Sequence, residues 1–154
     1  MPRGTMPHFE ATQDFRRPIA EVFDFFRRPA NLVRTSPPEL HMQLAEGPEV
    51  LELGSRLVVK GRRWGVPQRI VSQVVEFQPD VSFTDVQVEG PFRQWRHLHR
   101  FEALPDGGTR VHDRIEFEPP GGVLGLVVTA GFIEKDLKWV FAYRQEKLRE
   151  LLGG

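Results

Sequence analysis

The sequence predicts an α+β fold in which a curved antiparallel sheet of about seven strands wraps around one long C-terminal helix, with two short helices after the first strand. Three observations predict it. Between His41 and Glu118, short runs rich in Val, Ile, Phe and Leu are punctuated by Gly and Pro turns, too closely spaced to hold parallel crossovers. One strand-like segment and two helical ones precede that run, and a single long helical periodicity follows it. The chain also has 12 Phe and 3 Trp beside a single Tyr, so most of its aromatic surface carries no hydroxyl to satisfy, which implies large dry surfaces.

Taken in order, residues 1–7 read as a disordered or extended segment and 8–154 as a single domain. Residues 8–15 alternate, with Phe9, Ala11 and Phe15 on one side, and form the first strand. Pro18 opens a helix whose apolar positions Ile19, Val22, Phe23 and Phe26 share one face. A second helix covers Ala30 to Arg34 and is stopped by Ser36-Pro37-Pro38. Six strands follow, broken at Gly47-Pro48, Gly54, Gly61 to Pro67, Pro79-Asp80, Gly90-Pro91 and Pro105 to Gly108. Pro119 to Gly122 ends the sheet. Ala130, Ile133, Leu137, Val140, Phe141, Leu148 and Leu151 then mark the long helix, which Gly125 and Gly131 hold back to about Ala130. A sheet wrapped around one helix leaves part of its concavity unfilled, and the two short helices are placed to cover that space. The segment from Arg28 to Leu40 is the expected lid.

Composition narrows the function classes. The 154 residues include no cysteine, which rules out disulfides, and 21 basic against 21 acidic side chains give no electrostatic reason to expect nucleic acid. The longest uncharged stretch, Pro119 to Ile133, is broken by Gly and Pro and falls short of the ~20 residues a membrane span needs. With no apolar signal core near the N-terminus, the cytoplasm is the expected location.

The stretch from Pro18 to Phe26, Asn31-Leu32 with Ser36 to Leu40, and above all Phe83 to Phe101 resemble the START-like or SRPBCC superfamily, which has the helix-grip fold. The likeness is to its bacterial ligand-binding, polyketide cyclase-like branch. Gly108 to Asp113 and Phe141 to Arg144 fit the same pattern, and the likeness runs from about Phe9 to Leu152; the sequence departs from it at Ile70, where the family has Trp. The resemblance implies a carrier or sensor for a small, largely hydrophobic ligand (lipid-, polyketide- or aromatic-like) with no cofactor. Two alternatives are a cyclase or dehydratase acting on a polyketide-like or steroid-like substrate, and a protein-interaction module.

Strand parity selects the residues that would face such a ligand. Trp95, His97, His99 and Phe101 share one face, Val111, Asp113, Ile115 and Phe117 another, and Phe83, Asp85 and Gln87 a third, each marked as inward by its apolar members. A three-residue loop at Gly90-Pro91 would pair Glu89 with Arg93, so that Gln87 faces Trp95, Asp85 faces His97 and Phe83 faces His99; a two-residue hairpin there would put Asp85 and His97 on opposite faces. Pairing Glu102 with Arg110 puts His99 opposite Asp113. The expected ligand-binding set is Trp95, His97, His99, Phe101, Asp85, Gln87, Asp113 and Phe117, joined by Phe23, Phe26, Phe132 and Phe141. Three readings of the polar cluster stay open: a satisfied network, ligand recognition, or chemistry with His97, His99, Asp85 and Asp113 as acid/base groups. A metal on His-x-His plus Asp lacks a further ligand in register, so no metal is expected. Arg144 reads as an edge residue that snorkels to water, with an inward carboxylate partner as the alternative. Trp64 lies in a Gly-rich turn, either exposed or over the cavity mouth.

Overall fold

Pro18 has no N–H to donate, and the chain uses it just ahead of a helix, where its carbonyl accepts from Glu21 and Val22 at 3.1 Å each. The computed structural model describes residues 6–153, so the expected extended leader lies, for residues 1–5, outside the described residues. Strand β1 (His8–Phe15) leads through Pro18 into α1 (Ile19–Phe26), then α2 (Pro29–Arg34) and a 3₁₀ turn at Pro38–Leu40. Six strands follow: β2 (Gln43–Glu46), β3 (Arg56–Arg63), β4 (Val66–Gln78), β5 (Ser82–Glu89), β6 (Gln94–Ala103) and β7 (Thr109–Glu118). The chain closes with α3 (Ala130–Leu152). The second helix takes Pro29 as its first residue, one position earlier than the sequence reading, as suits a residue with φ already set.

All seven strands form one antiparallel sheet in the order β1-β7-β6-β5-β4-β3-β2, a meander closed by β1 pairing with β7. This is the α+β helix-grip arrangement. Curvature has local causes. Strand β4 shifts register twice against β5, between Val71 and Ser72 and again between Val74 and Glu76, and such bulges increase twist. The β3–β4 hairpin turns on Trp64 and Gly65, both at positive φ (54° and 75°), as a tight two-residue loop matched to strand twist requires. Gly61 has a different reason to lack a side chain: a Cβ there would sit 2.6 Å from the carbonyl oxygen of Leu40, where the lid meets β3.

The burial along β7 alternates strictly, with Thr109, Val111, Asp113, Ile115 and Phe117 inward. Helix α3 lays Ile133, Leu137, Phe141, Leu148 and Leu152 against that concave face. Its N-terminus is capped by Thr129, whose Oγ1 accepts from the Phe132 N–H at 3.3 Å. Gly153, at φ 71°, ends it by donating to the Arg149 carbonyl at 2.9 Å.

Two apolar clusters result. One, under α1, gathers Phe15, Phe23, Val74, Phe83, Phe101, Val111 and Leu148; the other, at the N-terminal half of α3, gathers Phe92, Ile115, Phe117, Ile133, Leu137 and Phe141. No helix among the described residues is long and apolar enough to cross a membrane.

Candidate functional site

Between the sheet, α3 and the lid lies a cavity of about 180 Å³. That exceeds the roughly 150 Å³ apolar hole that accepts benzene and falls below the ~300 Å³ at which drug-sized pockets begin. Phe25, Phe26 and Leu32 roof it from α1 and α2, Leu57, Val59, Ile70, Val74 and Phe83 form its sheet wall, and Leu137, Phe141 and Leu148 its α3 side. Apolar wall dominates. The polar exceptions include Asp85, Gln87, His97, His99, Arg63 and Arg144.

The register expected from loop lengths is the observed one: Asp85 pairs with His97, Phe83 with His99 and His99 with Asp113. The hydrogen bonds nevertheless run diagonally. His99 Nε2 lies 2.9 Å from Asp85 Oδ2, and His97 Nε2 lies 2.7 Å from Asp113 Oδ1. The reason is a stack of three rings. Phe83 lies face to face on His99 at 4.2 Å and 18°, and His99 on His97 at 3.7 Å and 23°, so each imidazole presents its edge to the carboxylate beside it rather than the one opposite. The ladder expected beyond Asp85 stops at Val86↔Arg96. Gln87 closes the loop instead, donating from Nε2 to the Phe92 carbonyl at 2.7 Å and accepting from the Phe92 N–H at 3.3 Å.

Electrostatics assign protons to this cluster. Burial, the largest influence on Asp113, pushes its pKa up, but the hydrogen bond from His97 and the adjacent His99 hold the carboxyl well below the usual range. Burial pushes Asp85 up as well, but the hydrogen bond from His99 and its positive surroundings outweigh it and leave its pKa lowered. Two ionised carboxylates can only accept, so Nε2 is the protonated nitrogen of both histidines. Burial and the neighbouring His99 charge hold His97 below its ordinary value, a neutral imidazole. Burial also pushes His99 down, but Asp113 and Asp85 outweigh it and raise its pKa, so His99 holds a proton more readily than His97 does. Its Nδ1 lies 3.4 Å from Asp113 Oδ1, out of line for a hydrogen bond.

Asp85, His97 and His99 place one donor atom each within 4.8 Å of one another, the one such group among the described residues. Nε2 of each histidine is already bonded to a carboxylate, so a cation would either compete with those bonds or take the Nδ1 atoms. The carboxylate bonds already in place favour the paired network.

The remaining expected residues divide. Trp95, Phe26 and Phe141 line the cavity, as do Asp85, Gln87, His97 and His99. Asp113 stands behind His97 and holds it rather than bordering the space. Phe23 and Phe101 lie in the core under α1, 5.0 Å apart and edge to face, because α1 drops its Val22-Phe23 face fully onto the sheet. Phe117 is buried beneath Trp95, 6.4 Å away. Phe132 is 41% exposed, turned outward on the first turn of α3 toward Trp64. Trp64 packs against Phe92 at 5.5 Å and is partly buried.

Arg144 corrects the edge reading. Its side chain lines the cavity, its buried Nε has no hydrogen-bond partner, and its Cζ lies 5.6 Å from the ring centres of both Phe26 and Phe141. The signal was in the spacing: Leu137, Phe141, Arg144 and Leu148 follow one another at four, three and four residues, the centre of an inward stripe. Arg63 also borders the cavity, but its Nε donates to Asp136 at 2.8 Å.

The family described as polyketide cyclase / dehydrase and lipid transport matches residues 6–153. No curated protein matches the sequence. Among solved structures, TTHA0849 from Thermus thermophilus superposes with a TM-score of 0.65 at 15% identity, covering 94% of this chain and 99% of that one. Major latex-like protein 151 from Panax ginseng gives 0.67 at 15%, covering 97% and 99%. A nucleoside-diphosphate sugar epimerase from Corynebacterium glutamicum gives 0.70 at 24%; the match covers 92% of this chain but 28% of the epimerase. These likenesses concern the fold. With the family match across nearly its whole length and a seven-stranded sheet gripping α3, the chain belongs to the polyketide cyclase / dehydrase and lipid transport family of the START-like superfamily.

Proposed function

We propose that the chain binds a small, largely hydrophobic molecule in the cavity between the sheet, the lid and α3, as a carrier or sensor. The observation that carries this reading is the apolar-walled space of about 180 Å³ with a few polar groups gathered at His97, His99, Asp85 and Arg144. An apolar wall supplies affinity, and few fixed polar groups supply orientation. The size favours a ligand of one or two rings or a short chain, with anything longer requiring the lid to open. Native mass spectrometry of gently purified protein, followed by organic extraction, tests it. A bound species released into solvent is the expected result, and a chain that neither retains an extractable molecule nor takes up hydrophobic probes would sink it.

A second reading has one observation in its favour. His97 is a neutral imidazole held from behind by Asp113 at 2.7 Å, and its other ring nitrogen makes no hydrogen bond to protein. That is how a general base is oriented in a cyclase or dehydratase. Under this reading His97→Gln abolishes turnover of a polyketide-like substrate while leaving its affinity within a few-fold; under the carrier reading there is no turnover to lose.

A further inference from the structure

We propose that the ligand is a small apolar carboxylic acid, bound as its carboxylate against the guanidinium of Arg144. This rests on the ligand-binding reading and names the ligand's chemical class. Among the described residues no carboxylate forms an ion pair with Arg144, and its Nε is buried without a hydrogen-bond partner. Arg144 is half-buried in the cavity wall with its Nε enclosed, a setting that favours a counter-ion, and the two carboxylates close enough to influence it electrostatically are already hydrogen-bonded: Asp85 by His99 at 2.9 Å and Asp113 by His97 at 2.7 Å. Phe26 and Phe141 flank the guanidinium and keep it in place without neutralising it. Arg63 differs in its charge partner: it borders the same cavity and also has an enclosed Nη2 without a hydrogen bond, but Asp136 forms an ion pair with it at 2.7 Å, which Arg144 lacks among the described residues.

The charge of the site sets the charge of the ligand. Asp85 and Asp113 sit in the same site as ionised carboxylates. A singly charged anion directed at Arg144 meets less repulsion from them than a phosphate dianion would. Geometry agrees. The planar guanidinium fork matches a carboxylate, and an aryl or short alkyl body suits the space walled by Phe83, Leu137, Val74 and Ile70.

The test is calorimetric titration at pH 7 with three probes: 4-ethylbenzoate, its neutral isostere 4-ethylbenzamide, and n-butylbenzene. Wild type should bind the benzoate at least tenfold more tightly than the benzamide. Arg144→Met, which keeps the side-chain volume, should retain benzamide and butylbenzene affinity and lose that preference; Arg144→Lys, which keeps the charge without the fork, should keep only part of it. Equal affinities of wild type for benzoate and benzamide, or an undiminished preference in Arg144→Met, would overturn the proposal. If butylbenzene or benzamide binds without any preference for benzoate, the acid inference falls and the hydrophobic-cavity reading stands. If none of the three binds folded wild type, both fall.

Discussion

The concave face of the sheet is filled in two different ways. Under α1 it is packed with aromatic rings: Phe23 meets Phe77, Phe83 and Phe101 at 5.0 to 5.9 Å, all near edge to face, and is 1% exposed. Two strand positions away, the same sheet face carries His97 and His99 beside open space, roofed by Phe25 and Phe26. The first region is held by removal of apolar surface from water. The second trades part of that gain for polar groups that must satisfy one another, which leaves it free to take a guest. Neighbouring Phe residues in α1 thus have opposite jobs: Phe23 seals, Phe26 lines.

The largest expected effect tests that division. Phe23→Ala should destabilise the fold by about 3–5 kcal/mol in urea unfolding, because the surrounding rings cannot collapse into the hole. Phe26→Ala should cost clearly less, since the atoms removed border space that already exists. Equal losses would erase the distinction between sealed core and cavity wall.

Next comes the polar ladder. Asp113→Ala leaves His97 Nε2–H buried and unpaired and should cost about 1–3 kcal/mol with no ligand present. An unchanged unfolding midpoint would mean that the ladder contributes nothing and water serves equally well.

The ladder also predicts a pH profile with a maximum. His97 has a lowered pKa when folded, so below the ordinary histidine value of 6.5 the unfolded chain binds more protons and stability falls as the pH drops. His99 has a raised pKa, so its contribution is complete below 6.5 and is lost as the pH rises through the folded value. Stability should therefore peak near pH 6.5, with His97→Gln flattening the acid limb and His99→Gln the alkaline one. A profile that rises steadily across this range in both variants would reject a raised His99 pKa in the folded state.

Smaller in energy is the contrast in mobility. The lid's backbone bonds are local, such as Thr35 N–H to the Asn31 carbonyl at 3.1 Å and Leu40 N–H to the Pro37 carbonyl at 3.0 Å, whereas β6 and β7 are paired on both sides. Hydrogen exchange should be faster over residues 28–40 than over 94–118. Equal protection would make the lid a rigid cap and place the entrance elsewhere. The smallest effect is Arg144→Met without ligand: removing a half-buried charge that has no ion-pair partner among the described residues should change stability little, unlike a loss of Arg63, which would strand Asp136.

Much of this was legible in the chain itself, because the relevant physics is local. Alternation along Trp95 to Phe101 and along Val111 to Phe117 sets which side chains face inward, since a strand's side-chain period is two. A three-residue loop at Gly90-Pro91 and a Glu102–Arg110 pairing put Asp85 beside His97 and His99 beside Asp113, which is the register observed; the sequence left a two-residue hairpin open as well. The spacing of Leu137, Phe141, Arg144 and Leu148 puts Arg144 at the stripe of α3 but reads as its edge, because a long charged side chain can also snorkel to water. What tertiary structure alone decided is how inward residues share the space. The diagonal bonds depend on Phe83 stacking on His99, and the choice of Phe23 and Phe101 as filler over lining depends on where α1 comes to rest on the sheet. The isolation of Arg144 depends on both nearby carboxylates being claimed from across three strands. Each of these is a competition among partners distant in sequence, and a pattern of period 2 or 3.6 records which face a residue takes but not which neighbour wins it.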